Sequence, residues 1–231
     1  MRRFECSGCG WCCKNFVLKL PIPESAGCGG TVSVLNPLRP RAFPINEYDF
    51  GRLKANPCFE SESVAPSAGI YDSISGKTLV VAWTFVDSSC RYYDNGCTIY
   101  ENRPSACRAY PLLDSNRNGL RPLVGHCPAV LPEQVEFAPS SLDRDGEFGS
   151  FLEGAWGEQY DEERFGREFL ARTIDIACEL DAKGVIKPQA EFPGGGRTSE
   201  CVPFYKYAQS HGWLPGKFLD ELVNGRYGQL K

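Results

Sequence analysis

The stretch Phe4-Glu-Cys-Ser-Gly-Cys-Gly-Trp-Cys-Cys13 holds four thiols within eight positions: Cys6, Cys9, Cys12 and Cys13. Thiolates are soft metal ligands, and a C-x-x-C-x-x-C run allows one turning backbone to aim three sulfurs at a common centre. Gly8 and Gly10 lie between these cysteines, where a tight turn requires positive φ or a close approach of the backbone. The stretch therefore predicts half of a metal site, with the other half further along the chain.

The composition restricts the class of protein. A chain of 231 residues with 42% hydrophobic residues is long enough for one large domain, or for a domain with an appendage. No apolar run approaches the roughly 20 residues of a membrane span, and Met1-Arg-Arg leads into no secretory signal. A net charge of −4 gives no electrostatic case for nucleic-acid binding. We therefore expect a cytoplasmic protein that binds neither membranes nor nucleic acids.

Twelve cysteines beside only two histidines and one methionine are the unusual feature of the composition. An even number allows a disulfide framework, but such frameworks belong mainly to small secreted domains, and neighbouring cysteines bridge one another only with strain. A metal site is the favoured interpretation, and a disulfide framework is its alternative. Cys28 is interpreted as an extra thiol in a loop, with a metal ligand as the alternative. Cys58 has no partner suggested by spacing, and Cys201 is interpreted as incidental. Cys178 is predicted to be a buried structural thiol on an apolar helix face.

A second group of cysteines follows the strongest predicted strand. Residues Thr78–Val86 are β-branched and aromatic, as strands prefer, and Cys90 comes soon after them. The turn signal Asp94-Asn95-Gly96 is expected to fold Cys90 back toward Cys97. This hairpin supplies two further thiols to the predicted site.

Two more cysteines lie beyond the hairpin. Asn102 is a candidate N-cap, and Pro104 suits the first turn of a short helix that carries Cys107 and ends at Pro111. Cys127 precedes a proline, as the last ligand of the bacterial ferredoxin-type run does. These thiols complete the expected second half of the site.

The whole pattern resembles the YkgJ-type family of zinc- or iron-chelating CxxCxxCC proteins. The shared motifs are F-x-C-x-x-C-G-x-C-C, then C-x6-C-x-I-Y-x-x-R-P-x-x-C-R-x-Y-P, then C-P, and they cover about residues 4–130. The resemblance implies a metal centre built by eight cysteines: Cys6, Cys9, Cys12, Cys13, Cys90, Cys97, Cys107 and Cys127. Flagellin lysine N-methylases carry a related cysteine cluster, which implies protein methylation as one activity. This chain is much shorter than those enzymes, and residues 131–231 match nothing in them.

The spacing favours an iron–sulfur cluster over zinc. Zinc sites commonly use pairs of C-x2-C ligands, whereas three evenly spaced thiols with a remote fourth are typical of a 4Fe–4S cluster. Zinc remains the alternative, and the number of centres stays open. Cys12 and Cys13 are neighbours whose side chains diverge, so one of them is free to face a second centre or to remain a structural thiol.

Two arginines are predicted to bind the cofactor. Arg103 and Arg108 carry guanidinium groups that would neutralise a thiolate centre and donate hydrogen bonds to its sulfurs. The alternative is that they form surface ion pairs with Glu101 or Asp94. His126, next to a predicted ligand, is interpreted as a neighbour of the site rather than a ligand.

The remaining N-terminal elements are short. Residues Asn15–Pro21 and Thr31–Leu35 predict brief extended segments. Asn46 is expected to cap a helix that ends before Pro57, and residues 60–77 to form a polar loop.

The C-terminal part is predicted to be mainly helical. Residues Pro139–Gly157 suggest a mobile connection, and Glu158–Lys183 show helical apolar spacing that Gly184 ends. Two shorter helices are predicted over Val202–Ser210 and Leu214–Asn224.

The predicted fold class is therefore α+β. A small, irregular cysteine-rich metal-binding domain over residues 1–135 is expected to precede a mainly helical extension over residues 136–231. No catalytic triad, carboxylate pair or dinucleotide-binding turn is recognisable, so no catalytic residue is assigned. We expect a 4Fe–4S protein with a redox role, or one that supports modification of a protein substrate. The alternatives are a zinc module that binds a protein partner, a lysine N-methylase-like enzyme, and a metal chaperone.

Overall fold

The computed structural model describes residues 2–14, 33–34, 43–113, 123–124, 126–135, 146–189 and 199–227. Its helices are α1 Trp11–Lys14, α2 Glu47–Lys54, α3 Ser105–Ala109, α4 Glu147–Trp156, α5 Glu158–Ala182, α6 Phe204–Ser210 and α7 Phe218–Tyr227. Its strands are β1 Ser33–Val34, β2 Val64–Asp72, β3 Lys77–Phe85, β4 Leu112–Leu113, β5 Leu123–Val124, β6 Pro188–Gln189 and β7 Cys201–Pro203. The predicted α+β class is confirmed.

An antiparallel pair, β2 and β3, forms the centre of the sheet. The predicted strand at Thr78–Val86 is confirmed, displaced by one residue. The predicted polar loop over residues 60–77 is wrong, because β2 occupies half of it. Its Pro66 and Gly69 are poor strand residues, but β3 offers a complete ladder, and register shifts around Ala68 accommodate the irregular segment.

The sheet takes strands from distant parts of the chain. Its order is β1-β2-β3-β7, and β6 also pairs with β2. β7 runs parallel to β3, with Thr78 opposite Cys201. Strands from both sides of the boundary predicted at residue 135 therefore share one sheet, while the boundary itself stays a prediction. The extended segment predicted at Asn15–Pro21 lies outside the described residues.

The helices follow the sequence signals at most of their ends. Asn46 caps α2 by accepting a hydrogen bond of 2.8 Å from the Asp49 N–H. The long α5 is confirmed, and Gly184 ends it with a φ of 68°. The N-cap predicted at Asn102 is wrong: α3 starts at Ser105 after Pro104, because Asn102 already lies in a short 3-10 turn.

Two C-terminal predictions need correction. The connection predicted over Pro139–Gly157 contains α4 in its described part, and Leu152 and Trp156 on this helix are buried. The first predicted short helix starts later, because residues Cys201–Pro203 form β7 instead. No helix in the described part of the chain is long and apolar enough to cross a membrane.

Three apolar clusters hold the described elements together. The largest lies between the sheet and helices α5, α6 and α7. The second lies around Trp83 and Tyr92, and the third around Phe4 and Trp156. Predicted metal ligands pack on the second and third clusters, so these two clusters form the base of the candidate site.

Candidate metal centre

The N-terminal cysteine loop turns at two glycines, as predicted. Gly8 has a φ of 66° and Gly10 a φ of 70°. A Cβ at Gly10 would overlap the ring of Tyr93, whereas a Cβ at Gly8 would meet nothing within 4 Å. The N–H groups of Cys13 and Lys14 each donate to the Gly10 carbonyl over 3.0 Å. Gly10 therefore starts α1 and brings the loop against the second cysteine block.

The start of the described chain is fixed to α4. The Phe4 N–H donates to the Ala155 carbonyl over 2.8 Å, and the Phe4 ring lies 5.3 Å from the Trp156 ring. The buried Gln134 side chain donates to the Arg2 carbonyl over 3.0 Å. These bonds fix the N-terminal cysteine loop to two segments that are far from it in the sequence.

The predicted turn at residues 94–96 is confirmed. Its central residue has a φ of 51°, and Tyr93 and Cys97 form an antiparallel bridge across it. The Cys90 N–H donates to the Cys13 carbonyl over 2.7 Å. This bond joins the hairpin directly to the N-terminal loop.

Helix α3 carries Cys107. The Cys107 N–H donates to the Pro104 carbonyl over 2.9 Å. Oδ2 of the fully buried Asp49 accepts from the Ser105 N–H over 2.9 Å and from its hydroxyl over 2.6 Å. Burial raises the pKa of Asp49, and the two bonds from Ser105 oppose that rise. A buried carboxylate thus fixes the N-terminus of the helix that carries Cys107.

Cys127 is placed by aromatic neighbours. The Tyr110 hydroxyl donates to the His126 carbonyl, and the Trp11 ring lies 4.8 Å from the His126 ring. His126 is exposed, while Cys127 is partly buried against the cluster around Phe4. These contacts bring Cys127 beside the N-terminal loop.

A cavity of about 330 Å³ lies between these segments. Five of the eight predicted ligands line it: Cys6, Cys9, Cys12, Cys107 and Cys127. The other three are also described residues, but they stand outside its lining: Cys13, Cys90 and Cys97. The structure thus divides the predicted ligands into five that line the cavity and three outside its lining. We call these three cysteines the cavity wall.

Thiols of the cavity lining and of the wall lie close to one another. The Sγ atoms of Cys12 and Cys13 are 3.9 Å apart, and the Cys13 thiol also hydrogen-bonds to Cys90. The hydrogen bond from Cys13 lowers the pKa of Cys12 to about 7, against the effect of burial. The same kind of bond lowers the pKa of Cys90 and raises that of Cys13. One thiol of the lining, Cys12, and one of the wall, Cys90, therefore have a lowered pKa.

Arg103 and Arg108 both line the cavity, as do Arg3 and Glu158. The Arg103 guanidinium lies 3.8 Å from the Tyr100 ring centre. Burial raises the pKa of the Cys97 and Cys107 thiols, and the charge of Arg103 opposes this rise.

Arg108 has a different partner from the one expected at the surface. Its guanidinium forms an ion pair of 3.1 Å with Glu162 and donates over 2.9 Å to the Glu101 carbonyl, rather than to the carboxylates of Glu101 or Asp94. Its side chain is 17% exposed and that of Glu162 only 5%. The cofactor-binding role of Arg103 and Arg108 stays a prediction.

Cavity residues from outside the cysteine motifs were not predicted. Arg3, Glu158 and Gln159 join the lining because the N-terminal loop docks beside the junction of α4 and α5, and no local pattern signals this docking. Cys178 is disulfide-bonded, which corrects its interpretation as a structural thiol. Cys58 and Cys201 are free and exposed.

The donor set fits a soft metal centre, although it does not form a closed cage. Within the described ranges, no group of three or more His, Cys, Asp or Glu side chains could hold a metal ion as it stands. The thiols nevertheless surround one cavity and its wall, and thiolates suit zinc, iron and iron–sulfur centres. Metal binding must therefore draw the sulfurs inward.

The α+β fold and the gathered thiols are those of a cysteine-cluster metal-chelating protein. The chain belongs to the CxxCxxCC family, whose model matches residues 5–128 and is described as "Putative zinc- or iron-chelating domain". The family resemblance drawn from the cysteine pattern is thereby confirmed, and the family description supports the binding of zinc or iron. Comparison with curated proteins and with solved structures gave no match.

Proposed function

We propose that the cavity holds a 4Fe–4S cluster ligated by Cys6, Cys9, Cys12 and Cys127. The supporting observation is the cavity of about 330 Å³, since four thiolates that enclose one ion leave no such space. A multi-atom cluster needs room between its ligands as well as the ligands themselves. When bound, the cluster would supply one-electron transfer, in a redox reaction or in support of modifying a protein substrate.

The choice of four ligands rests on position. Cys6, Cys9 and Cys12 are evenly spaced and all line the cavity. Burial raises the pKa of Cys127, and the charges of Cys9, Cys6 and Cys12 raise it further. Cys127 therefore lies within electrostatic reach of the whole triplet, although it is remote in sequence. Cys107 also lines the cavity but is carried by α3, on the side of the wall.

The arginines would adjust the charge of the centre. Four thiolates around an oxidised cluster carry net negative charge, and Arg103 and Arg108 bring guanidinium groups to the same cavity. Arg103 is the more available of the two, because Arg108 is paired with Glu162. An Arg103→Gln variant is expected to lower the reduction potential, because a positive charge that favours the reduced cluster is removed.

Anaerobic purification followed by iron and acid-labile sulfide analysis tests the proposal. The protein should be brown and contain about four irons and four sulfides per chain. Cys127→Ser should lose most of the iron and sulfide, whereas Cys58→Ser, at an exposed free cysteine, should keep both. Colourless protein with zinc and no sulfide would overturn the proposal and favour a zinc module.

A further inference from the structure

We propose that a second cavity, separate from the metal cavity, binds a small neutral alcohol or phenol, with an apolar body and one hydroxyl group. This second cavity, of about 110 Å³, is lined by residues of α3, α5 and β3, and we call it the α5 cavity. Among the described residues, none lines both cavities: Ser105, Ala106 and Ala109 of α3 line the α5 cavity, whereas Cys107 and Arg108 line the metal cavity. The site goes beyond the proposed cluster and does not depend on it.

Most of the α5 cavity is apolar. Its lining includes the aromatic rings of Phe43 and Phe169 and the aliphatic side chains of Val81 and Leu112. Phe43 and Phe169 are each 3% exposed, and Leu112 is 2% exposed, so these walls are dry. A cavity of about 150 Å³ with such a lining binds benzene in another protein. The α5 cavity therefore suits a body of about five or six carbons.

The polar end of the α5 cavity has a donor that lacks an acceptor. Nε of Arg167 is buried and has no hydrogen-bond partner among the described residues. Its ion pair with Oε1 of Glu163 spans 3.8 Å, which is too long for a hydrogen bond. Burying an N–H group without an acceptor is unfavourable, so this end of the cavity favours a ligand that offers an oxygen to Nε.

Two buried carboxylates restrict the charge of that ligand. Glu162 and Glu163 both line the α5 cavity, with side chains 5% and 1% exposed, and they would repel an anion. Each carboxylate is already paired with an arginine, Glu162 with Arg108 over 3.1 Å and Glu163 with Arg167, so a cation gains little. A hydroxyl group suits both neighbours, because its oxygen accepts from Arg167 Nε and its hydrogen donates to the Glu163 carboxylate.

The α5 cavity can be blocked at a single glycine. Gly166 lines it, and of the described atoms a Cβ there would meet within 4 Å only the Ser105 hydroxyl oxygen, at 3.8 Å. That distance is an ordinary contact, so α5 accepts a side chain at this position. A larger side chain at position 166 therefore extends into the cavity.

Titration calorimetry of the full-length protein with phenol and with toluene tests the site. Wild-type protein should bind about one phenol per chain. Arg167→Met should weaken phenol binding at least about fivefold and leave toluene binding unchanged, because only phenol offers an oxygen to Nε. Arg172→Met is the matched control, since Arg172 lies on the same helix, is 40% exposed and does not line the cavity. It should bind phenol as the wild-type protein does.

Gly166→Leu covers an Arg167→Met protein that fails to fold. It should abolish the binding of phenol and toluene alike, because the leucine side chain fills the cavity. The site is overturned by any of three results: no saturable phenol binding to wild-type protein, unchanged phenol binding in soluble Arg167→Met, or phenol binding retained in Gly166→Leu. Tighter binding of benzoate than of phenol would also overturn it, since the carboxylates should exclude an anion. None of these measurements depends on iron or sulfide, so failure of the proposed cluster is detected separately.

Discussion

Gly10 has a left-handed backbone, and the Tyr93 ring occupies the space that a side chain at this position would need. Gly10→Ala should destabilise the protein by more than about 1–2 kcal/mol, because the φ penalty adds to displacement of Tyr93. Metal content should fall as well, since Tyr93 donates to the Cys9 carbonyl and bridges to Cys97. Thermal unfolding and metal analysis measure the two effects.

Gly8→Ala is the matched control for Gly10→Ala. Its φ of 66° is nearly the same, but a Cβ there meets no atom within 4 Å. Gly8→Ala should therefore lower the free energy of unfolding only by the penalty of the positive φ. Equal losses of stability and metal in the two variants would show that the contact with Tyr93 is unimportant.

Glu47 gives the stability a pH dependence of its own. Burial raises its pKa from 4.5 to about 7, although it accepts 2.8 Å bonds from the Tyr205 and Lys206 N–H groups. A folded-state pKa above the unfolded value means that the native state binds more protons between these pH values. The contribution of Glu47 to the free energy of unfolding should therefore fall as pH rises from about 4.5 to about 7.

The Glu47→Gln variant isolates this contribution. Its free energy of unfolding should lack that fall, which amounts to up to about 3 kcal/mol in the wild-type protein. Urea unfolding at several pH values compares the slopes of the two proteins. The slopes are decisive, because the amide also loses a hydrogen bond at every pH. Parallel curves would mean that Glu47 titrates normally.

Individual residues with strong local signals were predictable from the sequence. Gly8 and Gly10 were expected to allow the tight turn of the cysteine loop, and Asp94-Asn95-Gly96 to form a turn, and both regions contain residues with positive φ. The contact between Gly10 and Tyr93 was not predictable, because it depends on two distant segments meeting. Local conformation follows from residue type, whereas the partner of a residue follows from the fold.

At the scale of the element, α3 depends on an anchor outside itself. It is only five residues long, and Ser105 donates twice to the buried Asp49. Ser105→Ala should destabilise the protein by about 1–3 kcal/mol, because the carboxylate loses a partner that it cannot replace with water. Chemical denaturation measures the loss.

Ser150→Ala is the comparison variant for Ser105→Ala. Its hydroxyl also donates to an oxygen, the Gly146 carbonyl, but at an exposed position on α4. It should change stability by less than about 0.5 kcal/mol. A Ser105→Ala protein as stable as Ser150→Ala would remove the argument that Asp49 fixes α3.

Elements with their own periodicity were predictable, and elements that depend on a partner were not. The β3 strand and the long α5 carried clear apolar patterns. The β2 strand contains Pro66 and Gly69 and exists because β3 lies beside it. A single-sequence pattern contains no information about that ladder.

At the scale of the molecule, the main apolar cluster crosses the boundary predicted at residue 135. Ile70 and Leu79 from the sheet pack with Phe169 and Ile176 from α5. A fragment of residues 1–135 should therefore fail to fold cooperatively, because it exposes one face of the sheet. Circular dichroism with thermal unfolding tests the fragment against the full chain. A cooperative transition with bound metal would support a separate N-terminal domain.

The candidate site was predictable in composition but not in arrangement. The spacing of the cysteines indicated a metal site, and the description of the family supports it. Its division between a cavity and a wall depends on where Cys13 and Cys90 meet, which no spacing specifies. Likewise, Arg3 reaches the cavity only because Phe4 is bonded to Ala155.

The bond between Phe4 and Ala155 also sets the order of events during synthesis. The first four thiols leave the ribosome early, but their docking surface on α4 emerges about 150 residues later, after roughly 10 to 30 seconds. During that interval the nascent chain carries unprotected thiols that oxidants and free metal ions can reach. We therefore expect the complete site to form late, and the supply of reductant and metal at the time of translation to affect the yield of correctly assembled protein.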